Sequence, residues 1–349
     1  MTTSSSERNL SIGVDVGGTN IRVALYRGLT RSGRTSPLAT HRERVGSERS
    51  PEAIAERLGR IIDDLLASAA AGAAGADGPV GVVPVGVGIA AIMRGRDGVV
   101  GNSPHLGWRD VPFGAILRRR LGEDRPFIVQ NDVNAITYGE YALGAGAGSR
   151  DMIAVYVGTG IGAGVIVDGR LVAGASHAAG ELGHMKVAWG EDAPRCNCGM
   201  RGCVETFIGG SYLLDRIRRD LGSGIESAAL EFVDGDPGKL HPGHIERAAG
   251  DGDAYALELY SEIAPPFAVA LGSAINLLNP DTLILGGGVL ADAPVLRAHI
   301  AAALELAATG TILDAVSVTT AVLGDDAGLV GGALLAAEHF GSGRDDSRE

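Results

Sequence analysis

The chain has 349 residues, enough for two domains with separate cores. Apolar residues make up 45% of it and the mean hydropathy is +0.16, which fits a globular protein. A net charge of −12 argues against a nucleic-acid surface, because phosphate binding needs a clustered basic face.

The compact basic run Arg118-Arg119-Arg120 reads as the exposed end of a helix. Lysine occurs only at Lys186 and Lys239 while arginine is abundant, a bias that reflects GC-rich coding rather than function. Met1 to Asn9 holds no apolar signal core, so no export is expected. The most apolar window, Gly72 to Met93, contains Asp77, Pro79, Pro84 and many glycines. It reads as a connection feeding a buried strand and not as a membrane span.

Leu10 to Val16 reads as a strand, Gly17-Gly18-Thr19-Asn20 as a turn, and Ile21 to Tyr26 as a second strand. Asp15 ends the first strand, where a carboxylate can hold the hydration shell of Mg²⁺ and the glycines let phosphate oxygens approach. Residues 28 to 50 are polar and Arg-rich, an irregular edge. Pro51 to Ala70 has apolar positions at helical spacing, with Ser50 as N-cap and Pro51 at the first helical position. The Ala/Gly segment 67–78 reads as a loose connection, and Val85 to Ile89 as a buried strand.

Phe127 to Gln130 is a strand, and Asn131-Asp132-Val133-Asn134-Ala135 opens a helix to about Leu143. Asp132 thus falls at a strand end, where open α/β sheets place ligands, although an aspartate there can simply cap the helix. Met152 to Val157, Gly158-Thr159-Gly160-Ile161-Gly162-Ala163-Gly164 and Val165 to Val167 repeat the opening theme about 140 residues later. A dinucleotide fingerprint would need a helix next, yet Val165 to Arg170 reads as strand and tight turn. The loop reads as a second phosphate cradle like that after Asp15, with Thr159 and Gly160 as the expected contacts.

All three cysteines, Cys196, Cys198 and Cys203, fall within eight positions, with His184 twelve residues before the first. Three thiolates and an imidazole suit the tetrahedral preference of Zn²⁺, and four protein ligands leave no open position, so the ion would be structural. Glu181 and Glu205 flank the ligands, and carboxylates held by such a site can accept hydrogen bonds from a polyol. On residue type alone they are ordinary surface charges.

Gly209 to Leu221 and Asp253 to Leu278 read as helices around a polar insertion, Gly222 to Gly243, and Pro265-Pro266 should kink the longer one. Thr282 to Leu285 is a strand leading to Gly286-Gly287-Gly288 and a helix from about Asp292. Only 58 residues follow Ala291, too few for a full dinucleotide domain. A last helix spans Gly328 to Phe340, and the tail beyond Gly341 reads as disordered.

Glu181-Leu182-Gly183-His184 followed by Cys196-Asn197-Cys198-Gly199-Met200-Arg201-Gly202-Cys203-Val204-Glu205 resembles the signature of the ROK family (repressors, open reading frames and sugar kinases). Asp15-Val16-Gly17-Gly18-Thr19-Asn20 resembles the first phosphate motif of the actin–hexokinase superfamily. Asn131-Asp132-Val133-Asn134-Ala135 and Asn102 to Trp108 are similar to further ROK motifs, so the likeness runs from about residue 10 to about residue 340.

The resemblance implies an α/β fold of two duplicated ribonuclease-H-like domains with an interdomain cleft. The first would span residues 10–132, joined by the helix 328–340; the second would span 133–327 and carry the zinc loop 184–203. It implies transfer of the ATP γ-phosphoryl group to a hydroxyl of a hexose, glucose first. Asp132 would be the catalytic base, with Asn131, Glu181, His184 and Glu205 on the sugar. Asp15, through Mg²⁺, and Gly17, Gly18, Thr19, Asn20, Thr159 and Gly160 would hold phosphates, with Gly286, Gly287 and Gly288 against adenine and ribose.

The chain departs from the family at Ala90-Ala91-Ile92-Met93, where sugar kinases carry Pro-Gly or Gly-Gly. An amino-sugar, N-acetylmannosamine or a cyclitol is therefore the alternative acceptor. ROK repressors carry an N-terminal helix-turn-helix, for which a first strand at Leu10 leaves no room. The family further implies a homo-oligomer, dimer or tetramer. Reduced, metal-bound cysteines fit the cytoplasm, with no nucleic-acid or membrane partner.

Overall fold

In the computed structural model, which describes residues 10–33, 36–72 and 82–341, the apolar alternation near the N-terminus closes a hairpin. Strand β1 (Leu10–Val16) pairs antiparallel with β2 (Asn20–Arg27), burying Ile12, Val14, Ile21, Val23 and Leu25. The polar stretch expected to be irregular contains an edge strand, β3 (Ala39–Arg44), whose side chains alternate between half-buried and exposed. Its charged residues masked the period of two that a strand with one covered face shows.

Helix α1 (Pro51–Gly72) runs two residues past Ala70, carried by alanines, and Ser50 Oγ accepts from the N–H of Ala53 at 3.4 Å. The rest of the proposed loose connection, and the tail beyond Gly341, lie outside the described residues. Next come β4 (Val85–Ile89) and a small antiparallel sheet of β5 (Ile92–Met93), β6 (Val100–Ser103) and β7 (Trp108–Val111). Helix α2 (Phe113–Leu121), β8 (Phe127–Asn131) and α3 (Asp132–Leu143) follow. The basic run does close α2, but Arg120 pairs with Glu56 and Asp63, and Arg118 stacks over Phe127.

The theme restarts with β9 (Met152–Val157), β10 (Ile161–Val167) and β11 (Arg170–Leu171). Strand β10 begins four residues before Val165, because the glycines of this turn pair in the ladder opposite β9. Short α4 (Glu205–Ile208) leads to α5 (Gly210–Gly222). The polar insertion folds as two 3₁₀ turns, Ala228–Val233 and Pro237–Lys239, followed by α6 (Pro242–Gly250). Helix α7 (Ala254–Leu278) continues through Pro265 and Pro266. By length and composition it is apolar enough to cross a membrane, and one face packs Leu259, Ile263, Phe267, Leu271 and Ile275 into a core. Then come β12 (Thr282–Gly286), α8 (Pro294–Ala307), α9 (Gly310–Leu313), β13 (Ser317–Thr320) and α10 (Ala327–Gly341). Helix α8 starts two residues after Asp292, where Pro294 supplies the pre-set φ of a first turn.

Two compact units result. One comprises Met1–Gly148, Leu171–Ala179 and Val322–Glu349; the other comprises Ser149–Arg170 and Gly180–Ala321. The first holds a five-stranded sheet in the order β3-β2-β1-β4-β8, antiparallel at its hairpins and parallel from β1 through β8. Helix α3 packs with α10 against this sheet, so the first unit continues to Gly148 rather than ending at Asp132. The second holds a five-stranded sheet in the order β11-β10-β9-β12-β13, again antiparallel at β9–β10 and parallel across β9, β12 and β13.

Candidate active site and metal centre

In the first unit the parallel strands β1, β4 and β8 bring their carboxyl ends to one edge, with Asp15 opposite Gly88 and Asn131 opposite Ile89. Asp15 and Asp132 therefore belong to the same sheet edge, with β4 between their strands. This is where side chains and loops can converge on a ligand without interrupting the ladder. Asn131 caps α3 by accepting from the N–H of Asn134 at 3.1 Å, and its Nδ2 donates to the carbonyl of Ala91 at 2.9 Å. Capping thus falls to Asn131, while Asp132 Oδ1 accepts from its neighbour, Val133 N–H, at 2.9 Å.

Asp15 faces Arg22 across the hairpin, and its Oδ2 accepts from Nε at 3.0 Å and Nη2 at 2.6 Å. Burial pushes the Asp15 carboxyl above its ordinary pKa, and the guanidinium opposes that shift. The turn after Asp15 is braced from outside: Val45 N–H donates to Thr19 O, and Gly17 N–H to Asn20 O. His105 packs over Gly18, where a Cβ would stand 2.8 Å from His105 Cβ. The Arg49 guanidinium holds that loop through the carbonyls of Gly46 and His105. At the departure from the family motif, Ala91 turns its side chain into the core and offers its carbonyl to Asn131. Ser103 Oγ donates to the carbonyl of Ala90.

In the second unit, His184 ends a 3₁₀ turn, Leu182–His184, pressed onto β10 so closely that a Cβ on Gly183 would lie 2.5 Å from Ile161 O. The cysteine segment folds back on it: Val187 N–H donates to Gly202 O, and Val204 N–H to Met185 O. Gly202 has φ of 71° and no room for a side chain beside Ala188 O, so glycine is required there. The donor atoms of His184, Cys196, Cys198 and Cys203 lie within 4.8 Å of one another. His184 Nδ1 and Cys196 Sγ are 3.8 Å apart, and Cys198 Sγ and Cys203 Sγ 3.6 Å. Tetrahedral bonds of ~2.3 Å to sulfur and ~2.0 Å to nitrogen put ligand atoms ~3.5–3.8 Å apart, so this set fits Zn²⁺.

With Nδ1 toward the sulfurs, His184 Nε2 is left 3.9 Å from Glu181 Oε2. Burial raises the Glu181 carboxyl pKa, His184 lowers it, and Glu205 raises it again. Glu205 starts α4, and its Oε2 accepts from Ile161 N–H at 2.8 Å while Oε1 lies 3.9 Å from Cys196 Sγ. One carboxylate therefore joins the metal loop to the turn at Thr159-Gly160. That turn is fixed further by Gly210 N–H to Gly158 O and Ser211 N–H to Thr159 O. The Gly286-Gly287-Gly288 turn abuts the end of β9, where Val289 N–H donates to Val157 O at 3.0 Å.

The expected residues thus gather in two groups, one per unit. Asp15, the turn Gly17 to Asn20, Asn131 and Asp132 stand at one sheet edge. Glu181, His184, the cysteines, Glu205, Thr159 and Gly160 form the other, with Gly286 to Gly288 beside the same β9 end. Sequence reasoning missed Arg22, although a tight hairpin after Asp15 sets these two residues opposite each other. It also missed Lys186, which is bridged to Cys203.

Two α/β units, each an antiparallel hairpin continued by parallel strands with its glycine turn at the hairpin, define a duplicated ribonuclease-H-like protein of the actin–hexokinase type. The chain belongs to the ROK family, whose model matches residues 11–339. It is similar to a glucokinase of Streptomyces coelicolor, 33% identical over 94% of this chain and 98% of that one. Among solved structures, a ROK family glucokinase from Streptomyces griseus in complex with glucose and AMPPNP is 32% identical, with TM-score 0.72 over 95% and 100% of the chains. A ROK hexokinase from Thermus thermophilus is 28% identical, with TM-score 0.72 over 96% and 100%.

Proposed function

We propose that this protein is an ATP-dependent kinase that phosphorylates a hydroxyl of glucose, working in the cytoplasm as a homo-oligomer. The observation that carries the reading is the shared sheet edge of Asp15 and Asp132, with Asn131 taking over the capping role beside Asp132. Glucokinases related over nearly the full chain support glucose as the acceptor. In this reading Asp132 accepts the proton of the attacking hydroxyl, and Asn131, Glu181, His184 and Glu205 hold the ring.

The backbone at 17–20 and 158–160 receives phosphates. Both Arg22 bonds go to Asp15 Oδ2, which leaves Oδ1 for the hydration shell of Mg²⁺. Gly286 to Gly288 take adenine and ribose. An aspartate of ordinary basicity suffices, because in a loose transition state positioning and charge stabilisation dominate. Zinc, held by His184, Cys196, Cys198 and Cys203, supplies rigidity to Glu181, His184 and Glu205.

The test is a coupled ADP-release assay of zinc-loaded protein with glucose, amino-sugars, N-acetylmannosamine and cyclitols. Glucose is expected to give the highest kcat/KM. A better amino-sugar or cyclitol would reassign the acceptor through Ala91 and Ile92. ADP release with none of them would sink the kinase reading.

A further inference from the structure

Glu140 is a fully buried acid, 0% exposed, that no step above employs. It lies in the last turn of α3, the helix that opens with Asp132. Its Oε1 accepts from the backbone N–H groups of Val322 at 2.9 Å and Leu323 at 2.7 Å, and its Oε2 from that of Ala145 at 2.9 Å. Its own carbonyl accepts from Gly144 N–H and Gly146 N–H. A Cβ on Gly144 would stand 2.0 Å from Oε2, so the small residue makes room for the carboxylate.

The donors are unusual in where they sit along the chain. The backbone passes between the two units at 148/149, 170/171, 179/180 and 321/322. Ala145 stands just before the first passage, and Val322 and Leu323 directly after the last. One side chain therefore ties both segments to the helix of Asp132. Burying a carboxylate is costly unless its lone pairs are met, and backbone donors from two passages meet them here.

Resting on the kinase reading, we infer that Glu140 is a positioning residue of phosphoryl transfer. It fixes the segments at Ala145 and at Val322 and Leu323 to the helix that carries the base Asp132, and so holds that base in place. Glutamine tests this sharply. Both carboxylate oxygens already accept backbone N–H bonds, so either amide orientation sets an NH₂ against a donor.

The experiment compares zinc-loaded full-length Glu140→Gln with wild type at 25 °C, with folding checked by circular dichroism. Turnover on glucose is expected to fall about 10²-fold with little change in the KM for ATP, as for a misplaced catalytic group. A purely structural role would lower Tm and leave kcat per folded molecule unchanged, and that result would overturn the assignment. Hydrogen exchange of wild type serves should the variant not fold. On adding a non-hydrolysable ATP analogue with Mg²⁺, the amides of Ala145, Val322 and Leu323 should change protection together. Independent or absent changes overturn the inference. Wild-type turnover is measured alongside, because its absence on every sugar defeats the kinase reading separately from Glu140.

Discussion

The ammonium of Lys186 lies 2.8 Å from the sulfur of Cys203, where the two residues form an antiparallel bridge. The bond to Cys203 holds the lysine pKa above its usual value. A cation against a ligating sulfur offsets the charge gathered by three thiolates and fixes the direction of that ligand. Lys186→Met should therefore weaken zinc retention by about 10–100-fold, as loss of an outer-shell partner does. Competition with a chromogenic chelator measures this, with Lys239→Met as a control of equal charge change. Equal retention in both variants would show that the contact is incidental.

Asp132→Asn keeps the size of the side chain and one oxygen toward Val133 N–H, so the sheet edge should stay formed. Sugar affinity measured by calorimetry should persist while kcat drops by ~10²–10⁴, the usual cost of removing a general base. Near-normal turnover would refute the assignment.

Stripping the metal should act on the second unit alone. Removal by a chelator under reducing conditions should abolish activity and loosen residues 181–205, read as faster hydrogen exchange. The sheet edge of Asp15 and Asp132 should keep its protection. Full activity of protein shown to be free of metal would contradict the role given to the four ligands.

Helices α3 and α10 cross so closely that a Cβ on Gly331 would lie 1.8 Å from Ala135 O, a backbone atom. Gly331→Ala should cost about 1–3 kcal/mol through overpacking, more than the helix propensity it gains. Gly222 in α5 meets nothing within 4 Å, and Gly222→Ala should be neutral or stabilising by up to ~1 kcal/mol. Denaturant midpoints of the two variants decide; a stable Gly331→Ala would mean that the helices can separate.

Acid should weaken the fold through several partnered carboxylates. Burial pushes the Glu43, Asp63 and Asp281 groups upward, but their bonds outweigh it and hold all three below ordinary values. The donors are Arg57 for Glu43, Arg125 and Arg120 for Asp63, and the N–H groups of Arg150 and Asp151 for Asp281. A depressed folded pKa gives stability that is present above the unfolded value, near ~4, and lost as pH falls through the folded one. The denaturant midpoint should hold from neutrality to about pH 4.5 and decline below. Asp63→Asn should flatten part of that decline, by at most about 1 kcal/mol because the pairs are solvent-screened. A midpoint independent of pH down to 3 would contradict this.

What the sequence made legible was local. The strand–turn–strand of Leu10 to Tyr26, the helix opening at Asn131-Asp132 and the cysteine spacing each depend on residues a few positions apart, although the cap falls on Asn131 and not on Asp132. The opposition of Asp15 and Arg22 follows from a hairpin register that can be counted from the turn. Strand β3 was hidden because its exposed edge carries charge on both sides of the alternation. Lys186 reaches Cys203 only through a bridge spanning 17 residues. Glu140 looks like any helical glutamate until segments from elsewhere in the chain close over it.

Helix α10, made from the last described residues, seals a sheet whose strands end at Asn131, with Gly13 Cα backed by Leu329 so closely that no side chain fits. That N-terminal sheet lacks this cover until Ala327–Gly341 has been synthesised. At ~5–20 residues per second, the ribosome leaves it uncovered for on the order of ten to forty seconds. During that interval the face of β1 and β4 that α10 will cover stays open.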